Sequence, residues 1–336
     1  MITEPEKAFI LGGTWRIPVL VKLLDRTFLQ DLQRDGTYNE ASFDREYESK
    51  WSGTAENAFF NGETFDTHRI LKQPEYEHSG RSSVHSYYIL SVDVGRKGCD
   101  SVVCVWKVTP QSMGPAIKSL VNIYTISDAH FEDQAKKLKS LYYKYKARRL
   151  VIDANGLGIG LIDYMVKPQN DSITGEHFPD FGVFGGTQED AAEEYKKYRT
   201  NETEEDAMYL IKASAPINSE AHANAQTQLN AGKVKLLIDE RIAKVKLLDT
   251  TAGKKMTPEK RAEYLKPFTL TSILKEEMMN LREENEGINI ILKQANKGIK
   301  KDKFSAFEYG LYYIKMEEES KKKKKKFKIT DMMFGN

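Results

Sequence analysis

The sequence lacks any apolar run long enough to span a bilayer, and no charged-then-apolar leader opens it. An integral membrane protein is therefore not expected, and a cytoplasmic one is. Cysteine is scarce. Cys99 and Cys104 fall in one short segment, where they would point to opposite faces of a strand. This argues against a disulfide framework and for a reducing compartment, and with no Cys or His partners at ligand spacing it leaves no zinc site. The six histidines are scattered with no H-E-x-x-H pair, which removes a catalytic zinc. No Gly-x-x-x-x-Gly-Lys-Ser/Thr loop occurs; Gly232-Lys233 and Gly253-Lys254 lack both the upstream glycine and the following hydroxyl. ATP hydrolysis by this chain alone is not expected. There is also no fixed-period repeat.

What remains is a chain of 336 residues, 40% hydrophobic and 30% charged, enough for one large domain or two ordinary ones with a buried core. The net charge of +2 conceals an asymmetry, because Lys321 to Lys326 are six consecutive lysines and the rest of the chain carries about −4. Overall charge thus does not advertise a nucleic-acid binder. The lysine run reads as a solvated, disordered terminus or as an arm that meets a polyphosphate, and the two are compatible.

The pattern changes along the chain. The first 80 residues carry scattered helical periodicity and an aromatic, turn-rich stretch, ending in the polar segment 77–83, which reads as a linker. Strands are then predicted at Tyr87–Asp93, Ser101–Val108 and Ile117–Ile126, joined as an antiparallel meander. A helix over 130–146 and a short apolar strand ending at Asp153 follow, the strand having the composition of one buried on both faces. Beyond a helix from Gly156, strands are expected at 181–184, 208–212, 234–238 and 288–292. Helices are expected at 219–229, 268–284 and 302–316, with 247–260 polar and mobile. This order implies an α/β fold, a mixed sheet flanked by helices.

Three acidic residues stand out for their positions. Asp93 ends the first strand of the meander, Asp153 ends the strand after the first long helix, and Asp302 opens the final helix. If those two strands lie side by side in parallel, two carboxylates come together at one edge, and a crossing helix can bring a third. Hard oxygen donors in such a group suit Mg²⁺ or Mn²⁺, and two such ions about 4 Å apart hydrolyse phosphodiesters. Taken singly, each has a structural reading: Asp93 and Asp153 as turn starters, Asp302 as a residue favoured by a helix dipole. Asp100, just past the Gly95–Gly98 turn, is a fourth candidate, as an outer ligand or a solvent-facing hairpin residue. Arg96 and Lys97 in that turn, and Lys300, Lys301 and Lys303 beside Asp302, are candidates for contacting a DNA backbone. Gly156-Leu-Gly-Ile-Gly160 has G-x-G-x-G spacing rather than that of a dinucleotide loop, so its glycines are read as allowing close approach to the sheet edge.

Together, Ser91-Val-Asp-Val-Gly-Arg-Lys-Gly-Cys-Asp100, Leu150-Val-Ile-Asp-Ala-Asn-Gly-Leu-Gly158 and Lys301-Asp-Lys-Phe-Ser-Ala-Phe-Glu-Tyr-Gly-Leu-Tyr-Tyr313 resemble the nuclease domain of tailed-phage large terminase subunits. The resemblance implies an RNase H-like fold with Asp93, Asp153 and Asp302 as the metal-binding triad, and Asp100 matches a further Asp often present in the family. Ser42-Phe-Asp-Arg-Glu-Tyr-Glu-Ser-Lys-Trp-Ser-Gly53 resembles the stretch that closes the family's ATPase domain. On this resemblance, residues 1–80 would be an ATPase-domain remnant and linker, 81–316 the nuclease, and 317–336 a basic, disordered tail. The family's nucleotide-binding loop would precede Met1. The implied activity is metal-dependent cutting of concatemeric double-stranded DNA during packaging in a bacterial cytoplasm, with two Mg²⁺ or Mn²⁺ ions, a small terminase subunit and a portal protein as partners. Another RNase H-like nuclease of the resolvase type, or an inactive prophage fragment that only binds DNA or partner subunits, are the alternatives.

Overall fold

The computed structural model describes residues 13–28, 30–31, 47, 58–79, 85–95, 100–127, 129–172, 174–286 and 288–334. The chain divides into two compact units, residues 1–58 and 59–336. In the first, helix α1 (Arg16–Leu20) precedes Phe28, whose ring meets those of Trp15 and Tyr47 at 6.2 and 5.1 Å between centroids. Apart from Tyr47, the 42–53 segment lies outside the described residues.

The second unit opens with helix α2 (Gly62–Thr67), capped by the Asn61 side chain, which accepts from the Glu63 and Thr64 N–H groups. The strands are β1 (Arg69–Leu71), β2 (Tyr87–Asp93), β3 (Ser101–Thr109), β4 (Ile117–Ile126), β5 (Ala147–Asp153), β8 (Phe181–Gly186), β9 (Glu204–Ile211) and β10 (Val234–Leu237). They form one sheet in the order β1-β10-β4-β3-β2-β5-β9-β8; β6 (Gln169–Asn170) and β7 (His177–Phe178) make a separate small hairpin. β3 alone runs against its neighbours, pairing antiparallel with β2 and β4, whereas β2, β5, β9 and β8 are mutually parallel. The central order β4-β3-β2-β5-β9, an antiparallel meander extended by parallel strands from its first member, is the RNase H-like arrangement. Helices α3 (Phe131–Tyr145) and α4 (Leu157–Met165) supply the two crossovers beyond β4 and β5, with α5 (Ala191–Lys196) between β8 and β9.

The parallel strands carry apolar side chains on both faces because helices cover both. On one face Tyr88, Leu90, Val92, Leu150 and Ile152 pack with Phe131, Leu138 and Leu161 of α3 and α4. On the other, Ile89, Cys104, Trp106 and Val151 pack beneath α6 (Ala215–Asn230), α9 (Pro258–Met279) and α10 (Asp302–Phe334). α10 lies unusually close to the sheet. The Ser91 hydroxyl donates to the Ala306 carbonyl at 2.7 Å and accepts from the Trp106 indole N–H at 3.2 Å. A Cβ on Gly310 would sit 2.2 Å from Trp106 Nε1 and 2.6 Å from Ser91 Oγ. Gly310→Ala is therefore expected to destabilise the protein. Overpacking costs roughly 1–3 kcal/mol or more, against about 1 kcal/mol gained in helix propensity. A lower urea midpoint at unchanged slope is the expected result; a higher midpoint would show that α10 sits farther off the sheet.

Four expectations change. The second unit begins at Phe59 rather than after residue 80, because Phe59, Phe60 and Phe65 enter the core and β1 adds to β10 as the edge strand. Residues 247–260, expected to be mobile, hold the end of α7 (Glu240–Asp249), all of α8 (Thr251–Lys255) and the start of α9, with α8 and α9 capped from within the segment: Thr250 accepts from Gly253 and Thr257 from Lys260. α9 stops at Met279, short of the expected 284, because β11 (Leu281–Glu286) leaves the helix to pair with β12 (Asn289–Gln294). Finally, α10 does not end near 316 but continues through Phe334. Lysine is a good helix former, and the turn entering the lysine run is anchored. Glu317 accepts from Tyr87 and Arg148, and Glu318 from the Ala116 N–H and from Lys118.

Candidate active site

Side chains alternate across a strand with period two, so the core assignment fixes where the strand-ending acids project. In β2, Tyr88, Leu90 and Val92 face α3 and α4, which leaves Ile89, Ser91 and then Asp93 on the α10 face. In β5, Leu150 and Ile152 face α3 and α4, so Val151 and Asp153 take the α10 face. The strands pair in parallel with Val92 beside Ile152, which sets Asp93 and Asp153 on neighbouring strands about 4.8 Å apart, at the same carboxyl edge. α10 starts at that edge with Asp302.

The electrostatics agree with this placement. The Asp93 carboxyl is pushed up to about 8 by burial, then by the charges of Asp153 and Asp302, with Lys301 opposing them. Asp153 is raised as well, chiefly by burial, while its Oδ1 accepts the Asn155 N–H at 2.9 Å and Lys301 draws it down. The charges of Asp153 and Asp302 thus both act on the Asp93 carboxyl. Among the described residues, no three His, Cys, Asp or Glu side chains close around a common point as a finished ion cage. The donor set nevertheless fits a hard divalent cation. It offers only carboxylate oxygens, partly buried and mutually repelling, and a cation would relieve that repulsion.

The approach to each acid is tightly built. Beyond Asp93, the Gly95 N–H donates to Ser101 Oγ at 2.8 Å, Ser101 donates to Gln134 Oε1 at 2.7 Å, and Gln134 Nε2 returns to the Gly95 carbonyl at 3.1 Å. Beyond Asp153, Gly156 takes a positive φ of 51°, and a Cβ on Gly158 would lie 1.8 Å from the Asp153 carbonyl oxygen. One on Gly160 would lie 2.5 Å from the Phe131 ring. Gly158 thus lets α4 approach the sheet edge, as expected, whereas Gly160 lets it pack on α3 and Gly156 serves the turn before it.

The other candidates are dispersed. Asp100 stands half-buried just before β3, and it is not among the charges acting most strongly on Asp93. Arg96 and Lys97 lie outside the described residues. Lys300 and Lys301 are exposed at the entrance to α10, and the charge of Lys301 acts on Asp93, Asp153 and Glu308. Lys303 is buried, with its ammonium 3.0 Å from Glu277, an interior position rather than the surface one expected of a DNA contact.

Several residues around the acids were not singled out from sequence. Glu277 on α9 accepts the backbone N–H groups of Lys303 and Phe304 at 2.8 and 3.0 Å. Glu308, on α10, bonds through Oε2 to Nδ1 of His222 at 2.6 Å, and the His222 ring stacks on Phe304. Burial raises both carboxyls, partly offset by these partners. Tyr309 is raised by burial and by Asp153, Glu308 and Asp93, so it stays protonated, and its hydroxyl donates to Asn218 at 3.2 Å. The signal available was a charge on an apolar stripe. Glu277 falls in line with Leu270 and Leu274, and Glu308 with Phe304 and Leu311, positions where an unpartnered acid would be costly.

No family model matches the chain, and no curated protein matches it. Among solved structures, the large terminase nuclease from thermophilic phage G20c with bound magnesium aligns at 14% identity over 76% of this chain and 97% of that one, with a TM-score of 0.41. The nuclease domain of the large terminase subunit gp2 of bacterial virus Sf6 aligns at 9% identity over 76% and 98%, with a TM-score of 0.40. The HK97 bacteriophage large terminase aligns at 6% identity over 88% of this chain and 52% of that one, with a TM-score of 0.41. At such scores and identities the fold assignment rests on the strand order of this chain itself. No helix among the described residues is long and apolar enough to cross a membrane.

Proposed function

We propose that this chain is a divalent-metal-dependent DNA endonuclease of the phage large-terminase type, cutting concatemeric viral DNA during genome packaging. The observation that carries the reading is the placement of Asp93 and Asp153 on adjacent parallel strands, on the face and at the edge where α10 begins with Asp302. These three carboxylates would hold Mg²⁺ or Mn²⁺. Two such ions, when bound, supply Lewis acidity that readies a water on one side of the phosphorus and steadies the leaving oxygen on the other. Asp93 keeps its proton near neutral pH until a cation competes for the site, so ion binding releases a proton. Lys301, exposed beside the acids, contributes positive charge at the rim, where a phosphate enters a strongly negative site. Lys300 is its companion in contacting the DNA backbone, together with Arg96 and Lys97, which follow β2 in the sequence. Asp100 is assigned an outer role, orienting water rather than holding the ion.

The resemblance to terminases implies a small terminase subunit and a portal protein as partners and the bacterial cytoplasm as the place of action. It does not imply ATP hydrolysis, for which this chain carries no phosphate loop.

Purified protein is expected to nick supercoiled plasmid in Mn²⁺ or Mg²⁺ and to stop when EDTA is added. Cleavage that persists in EDTA would end the two-ion reading. Strong preference for four-way junctions over linear duplex would favour a resolvase-type enzyme. DNA retention without cutting in any divalent ion would leave a binding fragment only.

A further inference from the structure

We infer that Glu277 is a positioning residue whose carboxylate sets the start of α10, and with it Asp302, in the place where the metal-holding set requires it. The inference rests on the endonuclease reading above. A helix begins with N–H groups that have no partner within the helix, and here the first to follow Asp302 are satisfied from another element. Glu277 Oε2 accepts from Lys303 N at 2.8 Å and from Phe304 N at 3.0 Å, while Oε1 accepts from the Lys303 ammonium at 3.0 Å. All three bonds are charge-assisted and buried, where such bonds hold geometry best.

The segment leading into α10 is held to the same end of α9. The Asn280 side chain donates to the Asn296 carbonyl at 2.8 Å and accepts from its N–H at 2.8 Å, and the Ala295 N–H donates to the Asn280 carbonyl at 2.8 Å. Asp302 is therefore flanked by a clamp at 295–296 and another at 303–304, both on α9. Its own side chain is left out of them. A carboxylate whose backbone is held on both sides meets a cation in one geometry, without first paying to order the loop.

The test compares Glu277→Gln with wild type in the full-length chain. Mn²⁺ binding is followed by electron paramagnetic resonance without DNA, and the Mn²⁺ concentration that half-saturates plasmid nicking is measured separately. Glutamine keeps the size but has one acceptor oxygen and no charge, so both dissociation constant and half-saturating Mn²⁺ are expected to rise roughly 10–100-fold, with nicking largely recovered at high Mn²⁺. Glu277→Asp, which keeps the charge but draws it back by one methylene, is expected to fall between the two, and carries the comparison should the glutamine variant fail to fold. Gly310→Ala, which loosens the middle of the same helix, is expected to lower thermal stability without moving the Mn²⁺ requirement. Wild-type Mn²⁺ binding in both Glu277 variants would overturn the inference, as would an equal shift in Gly310→Ala at matched loss of stability. Absence of Mn²⁺ binding by the wild type would instead overturn the endonuclease reading beneath it.

Discussion

Asp93→Asn is expected to reduce metal-dependent cleavage by on the order of 10³-fold or more while raising the thermal midpoint of the metal-free protein at pH 8. The first half follows, on the proposed reading, from removing a ligand from a metal site that would stabilise transition-state charge by several kcal/mol, with each 1.4 kcal/mol or so counting tenfold. The second half follows from the state of the carboxyl. Asp93 titrates near 8 in the folded protein, raised by burial and by Asp153 and Asp302, whereas in an unfolded chain it titrates near its ordinary value of 3.8. Below about pH 4 it is protonated in both states and costs nothing. As the pH rises from about 4 to 8 the unfolded chain ionises first, so metal-free stability falls through that window and levels off above it. The whole difference corresponds to on the order of 5 kcal/mol. Asparagine removes this contribution to the slope, leaving that of the other raised carboxyls, and a rise of roughly 5 °C or more at pH 8 is expected, with little change at pH 4. Saturating Mg²⁺ should stabilise the wild type at pH 8 and the variant much less. An Asp93→Asn protein that cuts like wild type, or a metal-free wild type whose midpoint is flat from pH 4 to 8, is incompatible with the site described.

Gly158→Ala should be nearly as damaging, for a steric reason. The Cβ would lie 1.8 Å from the Asp153 carbonyl oxygen, a backbone atom of a central strand that cannot rotate away. Either α4 shifts outward or the end of β5 moves, and the second displaces the Asp153 carboxylate proposed to hold a cation. A loss of roughly 3 kcal/mol or more is expected, together with a fall in cleavage beyond that explained by unfolded protein. Gly156 offers the internal comparison. A Cβ there meets nothing within 4 Å, so Gly156→Ala suffers only from the backbone, whose φ of 51° and ψ of −106° lie outside the left-handed helical well, at about 1–3 kcal/mol. Urea denaturation of the two variants, with nicking rates corrected for the folded fraction, separates the effects. If Gly158→Ala were the milder of the two, the tight contact between α4 and the strand end would not exist.

Much of this was legible in the sequence, for reasons that differ by element. β2, β3 and β4 announced themselves by short turns and apolar β-branched runs, and β5 by an apolar stretch suited to burial on both faces. Asp93 and Asp153 stood out because they end strands, where a polar residue interrupts the pattern. That β2 and β5 are neighbours was only a condition of the reading, and their parallel pairing meets it. The β11–β12 hairpin was partly hidden because Leu281 to Glu286 is rich in Arg, Glu and Asn, which read as the last turns of a helix until their partner strand is known. The continuation of α10 was hidden because its anchors are long-range: Glu317 and Glu318 reach Arg148 and Lys118, and six lysines alone read as a charged tail. Lys303 was placed on the surface for being basic and close to Asp302. Only the fold brings Glu277, 26 residues earlier, to receive it.

The wide spacing of the three acids has a consequence for synthesis. A growing chain that has reached residue 301 holds Asp93 and Asp153 but not Asp302, and the exposed underside of β2 and β3 still awaits Phe304, Phe307 and Leu311. Domains fold from the amino end as they leave the ribosome. On the endonuclease reading, nascent protein of this length would be unable to cut, and competence would arrive only with the helix that also seals the core.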